Sequence, residues 1–145
     1  MNVDINAAAA GSIVLGGDLE VHRLGFGAMR LTGKGVWGDP PDVAAAVRVL
    51  QRAVRLGVNF IDTADSYGPE VSERLIARAL HPYAPGIVIA TKGGLVRPKA
   101  DAWDRDARPE HLRKACEGSL TRLRRECIDV YQLHAPDPKV PLEDS

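Results

Sequence analysis

The stretch Asn59-Phe60-Ile61-Asp62-Thr63-Ala64-Asp65-Ser66-Tyr67-Gly68 decides the fold. Phe60 and Ile61 continue Val58 as a short apolar run, the pattern of a buried strand. Asp62, Asp65, Ser66 and Tyr67 then arrive where that strand stops, with Gly68 and Pro69 marking the turn. A strand that runs into a cluster of polar groups fits a parallel α/β fold, in which ligands sit at the carboxyl ends of the strands.

The same unit recurs on both sides of this stretch. Upstream, Leu24 to Leu31 reads as a first strand carrying Gly25-Phe26-Gly27-Ala28-Met29-Arg30. Downstream, Ile87 to Ala90 is a continuous apolar run, as expected of a strand buried on both faces, and it ends in Thr91-Lys92-Gly93-Gly94. Ile128 to Leu133 is a fourth strand ending at His134. Between them lie amphipathic helices. The first starts at Asp39-Pro40-Pro41-Asp42, sets Val43, Val47, Leu50 and Val54 on one face and stops at Gly57 as a left-handed cap. The second carries Val71, Leu75, Ile76, Ala79 and Leu80, and the third starts at Arg108-Pro109-Glu110 with Leu112, Cys116, Leu120 and Leu123 inward. Gly93 to Ala107 reads as a polar loop and Pro141-Leu142-Glu143-Asp144 as a further helix start. Ahead of all this, Ser12 to Leu24 alternates around Gly16-Gly17 as a β-hairpin. The expected architecture is therefore one α/β domain over 1–145: a loose leader over 1–11, a hairpin over 12–24, and over 25–145 about four βα units with right-handed crossovers.

Composition limits the function classes. Lysine and arginine number 19 against 19 acidic residues, and this balance offers no long-range attraction to nucleic acid or to an anionic membrane. An apolar fraction of 45% is ordinary for a soluble domain, no segment has the length of a membrane span, and the start lacks the basic region of a secretory signal. Cytoplasmic location is the expectation. Cys116 and Cys127 lack metal-ligand spacing and imply no disulfide framework, so free buried thiols and no metal site are expected.

With Lys92 and His134 added, the stretch from Gly57 to Gly68 resembles the aldo-keto reductase family. Those enzymes reduce carbonyls with a nicotinamide cofactor on a (β/α)8 TIM barrel, and the resemblance runs from the hairpin onward. Such a barrel takes about 250 residues, so the 145-residue chain is expected to be the N-terminal half, truncated inside an element. The sequence departs from the family at the exit of the third helix, where Arg124 stands for the common glycine and Cys127 for an aromatic.

Four polar residues carry the expected chemistry: Asp62, Tyr67, Lys92 and His134, each at or just after a strand end. Hydride addition to a carbonyl makes an alkoxide, which needs a positioned acid and donors aimed at the developing charge. A phenol is a weak acid until a cation stabilises its anion. Lys92 is the cation, Asp62 holds it by an ion pair, and His134 donates to the carbonyl oxygen. In the resembled family the matching residues have these roles, with the tyrosine as general acid. The family also implies cofactor contacts at Gly27, Ala28, Met29 and Asp62, NADPH or NADH as the cofactor, and a small-molecule carbonyl substrate. Gly25-x-Gly27 lacks the third glycine and the following helix of a Rossmann fingerprint. Trp37, on a glycine-rich loop beyond the first strand, is expected with Tyr67 and His134 to line the substrate pocket. Two other readings stay open: a Schiff-base lyase with Lys92 as nucleophile, and a catalytically silent half-barrel or assembly module. A sheet of four strands would leave two free edges and uncover residues such as Ile87 to Ala90, so self-association is expected, with negligible turnover and weak cofactor binding for the isolated chain.

Overall fold

A computed structural model describes residues 5–145. The chain opens with a 3-10 turn over Ala7–Ala10, capped by the Asn6 side chain, which accepts from the Ala8 N–H. Ala7 is buried with Ala53 and Val58 and donates its N–H to the Leu56 carbonyl at 2.6 Å. Within the expected leader, Ala7 is therefore tied to the end of the first helix, and the Gly11 carbonyl accepts from the Arg23 N–H at 2.9 Å, while Ile5 is exposed. Met1 to Asp4 lie outside the described residues.

Strands β1 (Ser12–Leu15) and β2 (Leu19–His22) form the expected antiparallel hairpin, with Gly16 and Gly17 at φ 63° and 96°. Only glycine takes two successive positive φ angles without steric cost. The chain continues through β3 (Phe26–Gly27), α1 (Val43–Arg55), β4 (Phe60–Asp62), α2 (Val71–Leu80) and β5 (Val88–Gly93). A short antiparallel pair, β6 (Leu95–Val96) and β7 (Asp104–Arg105), then leads to α3 (Pro109–Leu123) and β8 (Val130–Leu133). The parallel sheet has the order β3-β4-β5-β8, so each strand lies beside its predecessor in the βα series. Ile61, Ile89, Leu50, Ile76 and Leu123 fill the layer between this sheet and the helices, all fully buried.

Several local expectations change. The first strand is confined to Phe26–Gly27, and Ala28–Leu31 is a 3-10 turn. Ala28 and Leu31 are buried there, with the Ser72 hydroxyl donating to the Ala28 carbonyl, a gain that an extended edge strand would forgo. The polar loop over 93–107 contains the β6/β7 ladder. Helix α1 is capped by Asp42, which accepts from the Ala45 N–H at 2.8 Å, and it buries Ala46, Leu50 and Ala53, with Val43 and Val54 at the margin. Gly57 ends it at φ 83°, as expected. The thiols are not both buried: Cys127 is exposed in the turn before β8 and Cys116 is half-buried. Ile87, Val88, Ile89 and Ala90 are all buried, against the expectation of an uncovered apolar face. They belong to the segment leading into β5 and to β5 itself, which has a strand on each side, so exposure on the concave face falls instead on an edge residue such as Gln132.

The departure at Arg124 has a geometric counterpart. Arg124 is the C-cap of α3 at φ 54°, in the left-handed region that favours glycine.

Candidate active site

Register and strand period explain why distant residues meet. Asp62 on β4 pairs with Gly27 on β3 and with Ala90 on β5, and Lys92 on β5 pairs with Gln132 on β8. Side chains two residues apart on a strand share a face. Lys92 therefore lies on the same face as Ala90 and Asp62, and His134, two residues beyond Gln132, lies on the face of Lys92. This is the concave face of the sheet, at the carboxyl ends of its strands.

The contacts follow that logic. Lys92 Nζ stands 2.6 Å from Asp62 Oδ1 and donates to the Thr63 carbonyl at 2.8 Å. It also lies 5.3 Å from the centroid of the Tyr67 ring. Tyr67 is buried and meets His134 edge to face, with ring centroids 5.6 Å apart at 83°. His134 Nδ1 lies 3.3 Å from the Ser66 hydroxyl. Burial, and next the Lys92 charge, lower the His134 pKa, and Asp62 opposes this in part. This favours the neutral imidazole, with Nδ1 set against the Ser66 hydroxyl. All four expected catalytic residues thus come together, and Ser66 joins them. Its role follows from a position one residue before Tyr67, but nothing in its spacing distinguishes it from a turn serine. Both Lys92 contacts use its nitrogen as a donor, whereas a Schiff-base nucleophile needs a free lone pair.

The residues expected to touch a cofactor divide into two kinds. Gly27 has open space where a side chain would stand, Met29 is exposed, and Asp62 is partly exposed at its strand end. These fit a ligand approaching along the strand ends. Ala28 is fully buried and its carbonyl accepts from Ser72, so its methyl group faces the core and offers a ligand no surface. Gly25 has a packing reason of its own, because a Cβ there would lie 3.0 Å from Phe60. Trp37 pairs with Gly68 in a parallel bridge, one residue after Tyr67. Its ring lies against Arg97, 5.3 Å from the guanidinium carbon to the ring centroid.

Asp65, within the deciding stretch but given no role by the sequence, has its carboxyl pushed up to about 7. Burial is the main cause, followed by the Glu73 carboxylate, while Arg122 and the Ser66 N–H oppose it. Its Oδ1 is buried with no hydrogen-bond partner. The folded state thus holds this proton more tightly than the unfolded chain. Stability contributed by the neutral form is complete at low pH and is lost as pH rises from the ordinary carboxylate range to about 7. Asp65→Asn is expected to raise stability by about 1 to 3 kcal/mol at pH 8 and to have little effect near pH 4. Urea unfolding at the two pH values checks this, and equal effects at both would contradict it. His111 has its Nδ1 3.6 Å from Asp106 and its Nε2 buried without a partner. The neighbouring Arg108 fork holds the Asp106 carboxyl down at about 2.

Among the described residues no group of three or more histidine, cysteine or acidic side chains is placed to hold a metal ion. No helix among them is long and apolar enough to cross a membrane.

A parallel βα sheet thus gathers an Asp-Lys pair, a buried tyrosine and a histidine at its strand ends. Comparison makes this specific. The aldo/keto reductase family matches residues 23–145, and the chain belongs to that family. It is 51% identical over 140 residues to an uncharacterised oxidoreductase of Schizosaccharomyces pombe, covering 97% of this chain and 45% of that protein. It is 44% identical over 117 residues to pyridoxine 4-dehydrogenase of Escherichia coli, covering 81% of this chain and 41% of the relative. The solved glycerol dehydrogenase of Gluconobacter oxydans superposes with a TM-score of 0.82 at 37% identity, covering 94% of this chain and 42% of that one. The fold is accordingly the N-terminal part of a (β/α)8 barrel, and the chain spans less than half the length of the curated relatives it matches.

Proposed function

We propose that this chain carries the catalytic residues of a nicotinamide-dependent reductase that converts aldehydes or ketones to alcohols. The observation that supports it most is the 2.6 Å Lys92–Asp62 ion pair set beneath the Tyr67 ring, with His134 against that ring's edge. When bound, a reduced nicotinamide supplies the hydride, and Gly27, Met29 and Asp62 are the residues here that would hold it. Tyr67 donates the proton to the carbonyl oxygen as general acid. Lys92 supplies positive charge beside the phenol, and Asp62 with the Thr63 carbonyl keeps that charge in place. His134, neutral and steered by Ser66, offers a donor that orients the carbonyl oxygen. NADPH is the proposed cofactor and NADH the alternative. The carbonyl partners of alcohols as small and hydrogen-bonding as the pyridoxine and glycerol in the relatives' names belong to the proposed class.

The test is steady-state oxidation of NADPH in the presence of a panel of small aldehydes and ketones, on the protein at its full natural length. Carbonyl-dependent oxidation is expected. Its absence across the panel, in protein that unfolds cooperatively, would reject the reading.

A second reading concerns the 145-residue polypeptide made by itself, and the two free edges of the sheet favour it. Strands β3 and β8 each have a parallel partner on one side only. Free edges recruit strands, so this polypeptide is expected to self-associate and to turn over weakly or not at all. Light scattering over a concentration series checks the first point. A monodisperse monomer with cooperative unfolding and micromolar NADPH binding would contradict both.

A further inference from the structure

Arg97 is buried, 8% exposed, yet no carboxylate pairs with it among the described residues. All of its hydrogen bonds go to main-chain carbonyls. Nε donates to Ala102 at 2.8 Å, Nη1 to Val36 at 2.9 Å, and Nη2 to Gly35 at 3.3 Å and also to Ala100. The guanidinium carbon lies 3.7 Å from the centroid of the Trp103 ring and 5.3 Å from that of Trp37. The sequence holds two tryptophans, and both meet this one side chain.

The carbonyls come from two separate loops. Gly35 and Val36 belong to the loop between β3 and α1, and Ala100 and Ala102 to the loop between β6 and β7. Val36 has φ 57°, a conformation that is costly for a β-branched residue and persists only where its surroundings impose it. Arg97 grips the carbonyl of that residue. The other side of the first loop is fastened next to the chemistry: the Gly38 N–H donates to the Gly68 carbonyl at 2.6 Å, and Gly68 follows Tyr67. One loop is thus tied at its base to the residue after Tyr67 and at its tip to Arg97.

Resting on the reductase reading for its functional consequence, we propose that Arg97 is a positioning residue that clamps these two loops together and fixes Trp37 beside Tyr67 as a wall of the substrate pocket. The side chain has little left for an anion, since its donors point at carbonyls and its ring-facing surfaces are covered. Nor can lysine replace it, because an ammonium has three donors and no plane to stack. The clamp acts on how substrate is held, not on proton or hydride transfer, so it governs KM rather than kcat.

The test uses Arg97→Ala and Arg97→Lys in the protein at its full natural length, each checked for cooperative unfolding. Should the alanine variant fail to fold, the lysine variant carries the test. Two readouts are taken: tryptophan emission with acrylamide quenching, and kinetics with 4-nitrobenzaldehyde as probe aldehyde. Emission is expected to shift to longer wavelength and quenching to increase in both variants. KM is expected to rise about tenfold with kcat within about twofold. Unchanged emission and quenching in a folded variant would overturn the clamp. A fall in kcat at constant KM would overturn its positioning role. A wild-type protein without carbonyl reduction would reject the reductase reading and not the clamp, which the fluorescence results decide by themselves.

Discussion

Tyr67→Phe is expected to lower kcat for carbonyl reduction by about 100- to 10,000-fold, the range associated with losing a general acid. The substitution removes one hydroxyl and leaves the ring, which is buried and packed edge-on to His134. Folding and substrate binding should therefore change little, and the loss should appear in kcat with KM nearly constant. Lys92→Met should produce a loss of the same order by a different route. It deletes the charge beside the phenol and leaves Asp62 Oδ1 and the Thr63 carbonyl without their donor. Because tyrosine and lysine act as a unit, the double variant should be scarcely worse than either single one. NADPH oxidation at saturating aldehyde measures all three. Wild-type turnover in Tyr67→Phe would remove that residue from the chemistry.

The largest expected effect on stability lies outside the site. Arg122→Met is expected to destabilise the domain by about 3 to 5 kcal/mol, since it strands a buried carboxylate. Glu73 has no exposed surface. Its Oε2 accepts from Arg122 Nε at 2.6 Å, and its Oε1 accepts from the Thr91 hydroxyl at 2.6 Å. Arg122 also reaches Glu70 at 3.3 Å, so the pair fastens α3 to the start of α2 and, through Thr91, to β5. For a domain whose total stability is about 5 to 15 kcal/mol, this loss brings much of the population close to unfolding. The double variant Glu73→Gln with Arg122→Met should recover most of it, because a neutral amide still accepts from Thr91 and no charge is left buried. Urea unfolding at pH 7 decides the matter. Equal destabilisation in single and double variants would show that packing, not the stranded charge, is responsible.

The sequence carried the architecture because the architecture is periodic. Val58, Phe60 and Ile61 and the run Ile87 to Ala90 read as short buried strands, and Gly57 and Gly16-Gly17 marked positions that need positive φ, as found. Asp62, Lys92 and His134 were legible as candidates for a related reason: residues at or just past strand ends become neighbours once the sheet is parallel, and Tyr67 lies in the turn that follows Asp62. What escaped the sequence depends on pairing across long separations. Glu73 looks like any first-turn helix acid until the register of α3 against α2 sets Arg122 beside it. Arg97 looks like a loop arginine until two loops supply it with carbonyls and tryptophans. The polar loop over 93–107 hid a strand pair because Leu95-Val96 and Asp104-Arg105 are too short to show alternation. Ala28 was assigned to a ligand through the family resemblance, but its methyl group is buried in the core.

The most direct test of the central claim, that these four residues form a hydride-accepting carbonyl site, is isotopic. The protein at full natural length is given an aldehyde and NADPH carrying deuterium at the transferable C4 position, and the alcohol is examined by mass spectrometry and NMR. One deuterium on the carbinol carbon is expected, with about 100- to 10,000-fold less labelled alcohol from Tyr67→Phe over the same interval. An alcohol formed without deuterium, or formed equally well by the Tyr67→Phe protein, would contradict the account.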